Sequence, residues 1–305
     1  MSPQLALLVN PAARGGRTLR QLEPVARRLR AGGAELSVIV GDDAADALER
    51  ACTAVAERPD ALVAFGGDGL VHLAVQAVAG TDVPLGIIPA GTGNDIAAAL
   101  GVPCKDPLAA ARVVLRMKSR LVDAARVRAG RAEELFAGVV ACGFDSRVNE
   151  RANRLTWPAG SGRYVRAVVG ELRTFRPVPF RLVLDGEEVI EREAMLVAVA
   201  NTRSYGAGMR VCPDARPDDG LLDVLMVEAI SKGEFLRVFP SVYRGTHVGH
   251  RAVTMRRART VRLETLGGDP VRDLLDGMVA YADGERVGPV PVECEVQPGA
   301  LRVLV

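Results

Sequence analysis

Within the first hundred residues, three short apolar runs (5–9, 61–65 and 85–88) each end in a glycine- or asparagine-rich turn. The turns are Asn10-Pro11-Ala12-Ala13-Arg14-Gly15-Gly16, Gly66-Gly67-Asp68-Gly69 and Gly91-Thr92-Gly93-Asn94-Asp95. An uninterrupted apolar run between turn signals reads as a strand buried on both faces, which needs helices above and below it. Residues 18–31 supply one, with Leu19, Leu22, Val25, Ala26 and Leu29 on a single face. Residues 44–56, 70–78 and 94–100 read as further helices, and 36–40 as another strand. This alternation predicts an α/β domain with a parallel sheet over residues 1–122.

After about residue 120 the rhythm changes. Segments 121–127, 134–141, 181–184, 194–200, 222–227, 260–264, 279–282, 292–296 and 301–305 read as strands. Asp185-Gly186, Asp283-Gly284 and Pro298-Gly299 are turn signals between them. Helices are expected at 161–173 and 232–242. Residues 123–305 therefore read as a β-rich, largely antiparallel second domain. No low-complexity linker marks the boundary near Asp123, so the two domains are expected to pack around a cleft.

Composition removes several function classes. At 49% hydrophobic and 25% charged residues the chain is not disordered. A net charge of +2 gives no bulk attraction for nucleic acid. The apolar runs are too short to cross a bilayer, and no leader pattern opens the chain. The five cysteines are scattered without a CxxC spacing, so neither a disulfide framework nor a zinc cluster is indicated. A cytoplasmic protein is the expectation. There are three lysines, Lys105, Lys118 and Lys232, and none completes a Walker A loop or a kinase β3 strand. If the chain handles ATP, it cradles phosphates by other means.

The three turns offer those means. In an open α/β sheet, ligands bind beyond the carboxyl ends of the strands. Glycines there let backbone N–H groups approach an anion, and the following helix adds its positive end. Arg14 adds charge beside the first turn. Each turn alone is as readily a plain chain reversal; three on one sheet edge point to phosphate. Asp68 and Asp95 each stand in a glycine turn before a helix. They read as helix caps, or as the magnesium-holding and proton-accepting acids that phosphoryl transfer needs.

Gly66-Gly67-Asp68-Gly69 and Pro89-Ala90-Gly91-Thr92-Gly93-Asn94-Asp95 resemble successive nucleotide-binding motifs of the diacylglycerol kinase catalytic-domain family. The similarity is to its bacterial soluble lipid kinases. It continues through Asn10-Pro11, Gly143-Phe144-Asp145, Tyr205-Gly206, Asp218-Asp219-Gly220-Leu221 and Asp283-Gly284-Glu285. NAD kinases and phosphofructokinases share the GGDG element, and the resemblance implies their fold for the first domain. It implies an ATP-dependent lipid kinase, with diacylglycerol the leading acceptor and sphingoid bases or other lipids as alternatives. By the same resemblance Asn10, Arg14, Gly66, Gly67, Gly69, Gly91, Thr92, Gly93 and Asn94 would bind ATP. Asp68, Asp95 and Glu285 would form the acidic cluster around Mg2+ and the substrate hydroxyl, with Asp68 as base or orienting group. A second, structural Mg2+ would sit on Asp219 and main-chain oxygens near Arg216 and Leu221. That segment reads equally as an acidic turn before a strand. An NAD kinase-like enzyme and an inactive nucleotide-binding regulator are the competing functions. Leu70 stands where many members carry Thr.

Other candidates are weaker. His72 reads as a half-buried structural histidine or a nucleotide contact. His247 and His250 have tolerable metal spacing but lack a third ligand nearby. Residues 147–181 hold eight arginines against two glutamates, with Trp157 in their midst. That segment reads either as a surface facing an anionic bilayer or as a solvated basic face over a core stripe. The expected partner is a lipid substrate at the membrane surface, with peripheral membrane association and no nucleic acid; a homodimer is left open.

Overall fold

The computed structural model describes residues 2–10, 17–155, 157, 161–267 and 277–305. Its first half alternates as the sequence predicts: β1 (Gln4–Val9), α1 (Arg17–Ala31), β2 (Glu35–Val40), α2 (Ala44–Ala56), β3 (Ala61–Gly66), α3 (Asp68–Val78), β4 (Leu85–Pro89), α4 (Asp95–Ala99) and α5 (Pro107–Leu115). The reasons are local. Asp43 caps α2 by accepting the Asp46 N–H, and Ala47, Ala51 and Val55 bury one face. Asp106 caps α5, with Pro107 in its first turn. β1, β3 and β4 are wholly or almost wholly buried, as a sheet covered on both faces requires.

β1 pairs in parallel with both β2 and β3, and β3 with β4. The chain therefore leaves β1 for one neighbour and returns on its other side. That reversal makes a crevice beyond the carboxyl ends of β1 and β3, where Asn10 and Gly66-Gly67 stand.

The second half follows as β5 (Ser119–Ala129), β6 (Ala132–Phe136), β7 (Val139–Gly143), α6 (Phe144–Arg154), α7 (Ser161–Thr174), β8 (Val178–Leu184), β9 (Glu188–Ala200), β10 (Leu222–Glu228), α8 (Lys232–Val238), β11 (Val253–Ala258), β12 (Thr260–Thr265), β13 (Val279–Ala282), β14 (Glu285–Pro289) and β15 (Val292–Leu304). Its strand pairs are antiparallel. The last strand ties the two halves together. β15 runs antiparallel to β5 for most of its length, and Val303 meets Leu85 of β4 in parallel. Leu301, Val303 and Leu304 accordingly join the core of the first half.

Two readings need correction. Residues 134–141 are not one strand: the chain breaks at Ala137-Gly138 between β6 and β7. The Asp283 carboxylate holds that break by accepting the N–H groups of Ala137, Gly138 and Val139 at 3.0, 2.9 and 3.1 Å. Residues 292–296 and 301–305 are one strand, because pairing with β5 resumes after a register shift between Gln297 and Leu301. The predicted helix over 232–242 keeps α8 and continues as a 3-10 turn over Phe239–Arg244. α5, α6, β11 and β14 lie outside the elements expected from the sequence.

Candidate active site

The glycine turns meet because nothing larger fits between them. A methyl group on Gly67 would lie 3.0 Å from the Gly91 Cα, so the two turns pack backbone to backbone. The Ala90 N–H donates to the Gly66 carbonyl at 2.8 Å and locks the pair. Asn94 takes a left-handed conformation (φ 61°) and folds its side chain back on the turn. Its Oδ1 accepts from the Gly91 N–H at 2.9 Å, and its Nδ2 donates to the Gly91 carbonyl at 3.0 Å. Asn94 thus shapes the turn. Thr92 stays exposed at its tip, Asn10 is exposed at the end of β1, and Arg14 lies outside the described residues.

Asp68 reaches across to this turn. Its Oδ2 accepts from the Asn94 N–H at 2.7 Å and its Oδ1 from the Ile96 N–H at 3.1 Å. The acid of one loop therefore caps the helix that follows the other. Burial raises the Asp68 pKa, the neighbouring Asp95 charge adds to the rise, and the backbone N–H groups oppose it. Asp95 is buried and is held from the second half: its two oxygens accept from the Ala207 N–H at 2.7 Å and the Gly208 N–H at 2.8 Å. Gly206, Ala207 and Gly208 all have positive φ, which turns successive N–H groups toward one anion.

Gly93 stands between the two acids. A methyl group there would lie 2.8 Å from Asp68 Oδ2 and 3.1 Å from Asp95 Oδ2. Glu285, exposed at the start of β14, arrives from the other lobe. Its Oε1 would sit 2.7 Å from a methyl group on Gly69. Asp68, Asp95 and Glu285 are thus brought to one crevice by two lobes. Asp68 and Asp95 each accept about two of the four hydrogen bonds a carboxylate can take. Their remaining lone pairs suit Mg2+, which keeps several waters and binds through one or two carboxylates. Leu70 is buried and packs over Gly66, where a methyl group would meet its Cδ2 at 2.7 Å.

The segment assigned to a structural Mg2+ has a different occupant. Asp219 is bound by the Arg257 guanidinium and accepts from the Leu221 N–H at 3.2 Å. Arg257 also approaches Asp223 at 3.6 Å, and Arg216 lies 3.5 Å from Asp218. Arg257 thus supplies one positive charge between Asp219 and Asp223, while Asp223 Oδ2 stays buried without a hydrogen-bond partner. Among the described residues, no group of three His, Cys, Asp or Glu forms a metal-holding cluster. His247 and His250 diverge: the first meets the Val211 carbonyl at 3.1 Å, the second Glu234 at 3.4 Å.

Beside the acids lies an apolar slot of about 50 Å3, lined by Leu196, Tyr205, Met209, Phe235 and Phe239, with Asp145 in its wall. Tyr205 and Met209 flank the very loop that holds Asp95. Burial raises the Asp145 pKa to about 7. The slot and the N–H pair of Ala207 and Gly208 escaped sequence reasoning; the run of glycines around Ala207 was the one signal for the latter.

Comparisons with known proteins agree with this architecture. Residues 4–127 match the diacylglycerol kinase catalytic domain, and residues 138–305 the YegS C-terminal NAD kinase beta sandwich-like domain. A Mycobacterium tuberculosis protein named diacylglycerol kinase is 43% identical over 302 residues, covering 99% of this chain and 94% of its own. A crystal structure from Bacillus anthracis, assigned as a diacylglycerol kinase, superposes with a TM-score of 0.77 at 25% identity, over 99% of this chain and 95% of that one. An NAD kinase from Archaeoglobus fulgidus shares the fold, with a TM-score of 0.55 at 13% identity over 99% of this chain and 93% of its own.

Proposed function

The chain belongs to the diacylglycerol kinase catalytic-domain family and is a kinase; we propose that it transfers the γ-phosphoryl group of ATP to a lipid hydroxyl, with diacylglycerol the leading acceptor. The observation that carries this reading is the meeting of Asp68, Asp95 and Glu285 in a glycine-lined crevice beside an apolar slot. The glycine turns present N–H groups to the phosphates. Asp68, whose proton affinity is raised by burial, takes the proton of the acceptor hydroxyl as that oxygen attacks the γ-phosphorus. The bond from phosphorus to the β–γ bridging oxygen breaks, and ADP leaves. Asp95, fixed by the Ala207 and Gly208 N–H groups, and Glu285 orient the reacting groups. Asp68 and Asp95 would hold Mg2+, which would neutralise part of the phosphoryl charge. The slot has room for about one or two waters, so an acyl chain enters by displacing a wall.

The lipid reading extends to a surface. No described helix is long and apolar enough to cross a membrane. Yet Trp157 is 72% exposed and Val165 63%, with Tyr164 and Val169 also exposed along α7. Arg166 stacks over the Trp157 ring at 5.8 Å and donates to its carbonyl at 2.9 Å, while Arg163 lies 5.9 Å from the Tyr164 ring. Four other arginines of the segment are paired: Arg147 and Arg151 share Glu171 at 3.6 and 2.8 Å, Arg154 meets Glu150 at 3.6 Å, and Arg181 meets Glu191 at 3.4 Å. Exposed aromatic and aliphatic groups beside cations are the chemistry of an anionic bilayer face, each cation adding about 1 kcal/mol. Charge reversal at Arg163 and Arg166 should reduce co-sedimentation with phosphatidylglycerol vesicles about tenfold or more; unchanged co-sedimentation removes this surface.

The acceptor is tested with labelled ATP and a panel of diacylglycerol, monoacylglycerol, sphingosine and NAD. Label in phosphatidic acid is the expected result. Label in NAD and in no lipid overturns the reading, and ATP binding without any transfer favours a regulator.

A further inference from the structure

One buried side chain links the helix of the GGDG turn to the turn that bears Glu285. His72 lies one helical turn after Asp68 on α3, and its side chain is 8% exposed. Both ring nitrogens face carboxylates of the other lobe: Nδ1 lies 3.2 Å from Asp283 Oδ2, and Nε2 lies 3.5 Å from Glu134 Oε2. Asp283 is fully buried at its carboxylate and takes a left-handed conformation (φ 53°) at the tip of the β13–β14 turn, two residues before Glu285. It already accepts three N–H groups from the break between β6 and β7. Glu134 Oε2 is shut away from solvent and faces the His72 ring as its ion-pair partner at 3.5 Å. The path is therefore closed: Gly69 to His72 along α3, His72 to Asp283 through the ring, Asp283 to Glu285 along the turn, and Glu285 back over Gly69.

We propose that His72 is a positioning residue which, by bridging Asp283 and Glu134, sets the height of the β13–β14 turn and so the place of the Glu285 carboxylate over Gly69. This rests on the lipid kinase reading for its catalytic consequence, though not for the clamp itself. A neutral imidazole has one N–H and can serve one of the two carboxylates; a charged ring serves both. Burial works against the charge, yet the hydrogen bonds to Asp283 and Glu134 outweigh it and raise the His72 pKa to about 10. The ring thus stays a double donor at neutral pH. Gln76, one turn further along α3, joins the same seam: its Nε2 donates to the Leu135 carbonyl at 2.6 Å and its Oε1 accepts the Leu135 N–H at 2.9 Å. That second tie to β6 keeps α3 docked when His72 is altered, and it leaves the turn itself untouched.

The test is His72→Phe and His72→Gln in the full chain, each alone and combined with Glu285→Gln. Hydrogen exchange of residues 283–286 reads the clamp without any acceptor. It should quicken in His72→Phe and recover in part in His72→Gln, whose amide still donates once. With diacylglycerol as acceptor, kcat in His72→Phe should fall about 10- to 100-fold, the scale on which a misplacement of about 1 Å acts. KM for ATP should stay within about twofold, because the glycine turns are untouched. In the Glu285→Gln background His72→Phe should cost little more. Unchanged exchange at 283–286, an unchanged kcat, or fully additive losses would each overturn the proposal. A wild-type chain that phosphorylates no lipid while its turn still loosens in His72→Phe would sink the lipid kinase reading and leave the clamp standing.

Discussion

Two pairs of aspartates stand in or just beyond glycine-bearing turns of this molecule, and the chain treats them in opposite ways. Asp68 and Asp95 are met by backbone N–H groups alone: those of Asn94 and Ile96 for the first, those of Ala207 and Gly208 for the second. Asp219 and Asp223 are met by a full positive charge, the Arg257 guanidinium. Dipoles fix a carboxylate in place and leave most of its charge unspent; a guanidinium spends it. The first arrangement is the one the proposed transfer would use to meet a cation and the acceptor's proton. The second serves to hold β10 against β11, where Asp223 and Arg257 face each other across the strands, and the second Asp223 oxygen is buried without a hydrogen-bond partner.

That contrast can be broken most forcefully in the crevice. Gly93→Ala places a methyl group within 2.8 Å of Asp68 Oδ2 and 3.1 Å of Asp95 Oδ2, so both acids must shift. Turnover should fall about 100-fold, while the melting temperature moves by only a few degrees, since the turn is at the surface of the crevice. Arg257→Met sharpens the other side. It leaves Asp219 and Asp223 uncompensated, and Arg257 is itself nearly half exposed, so the loss should be about 1 kcal/mol, a fall of about 2–4 °C in Tm. Its kcat and KM should match the parent chain. A turnover defect in Arg257→Met as large as that in Gly93→Ala would erase the distinction between the two regions.

Where the sequence spoke clearly, the determinants were local. β1 to α4 alternate because each strand is an apolar run closed by its own turn, and the caps and glycines lie within a few residues of the elements they define. The acids Asp68 and Asp95 could be found for the same reason. The remainder was set by distant partners. The break between β6 and β7 exists because Asp283, 145 residues beyond Gly138, binds its N–H groups. Pro298-Gly299 looks like a hairpin tip, but β5 keeps the chain in one strand on either side of it. β11 was hidden by its arginines, which an edge strand can carry toward solvent. α6 was obscured by its polar, arginine-rich stretch, although the buried Phe144, Val148 and Ala152 fall at helical spacing. The nearness of Glu285 to Gly69 is a tertiary fact that no spacing in the sequence contains.

The measurement closest to the centre is the single-turnover rate of transfer from labelled ATP to diacylglycerol in mixed micelles, compared between the parent chain and Glu285→Gln. Convergence of the two lobes on one reacting centre predicts a loss of about 100-fold with ATP affinity retained. A rate equal to the parent's would contradict it, because the carboxylate that the second lobe delivers to Gly69 would then have no part in the chemistry.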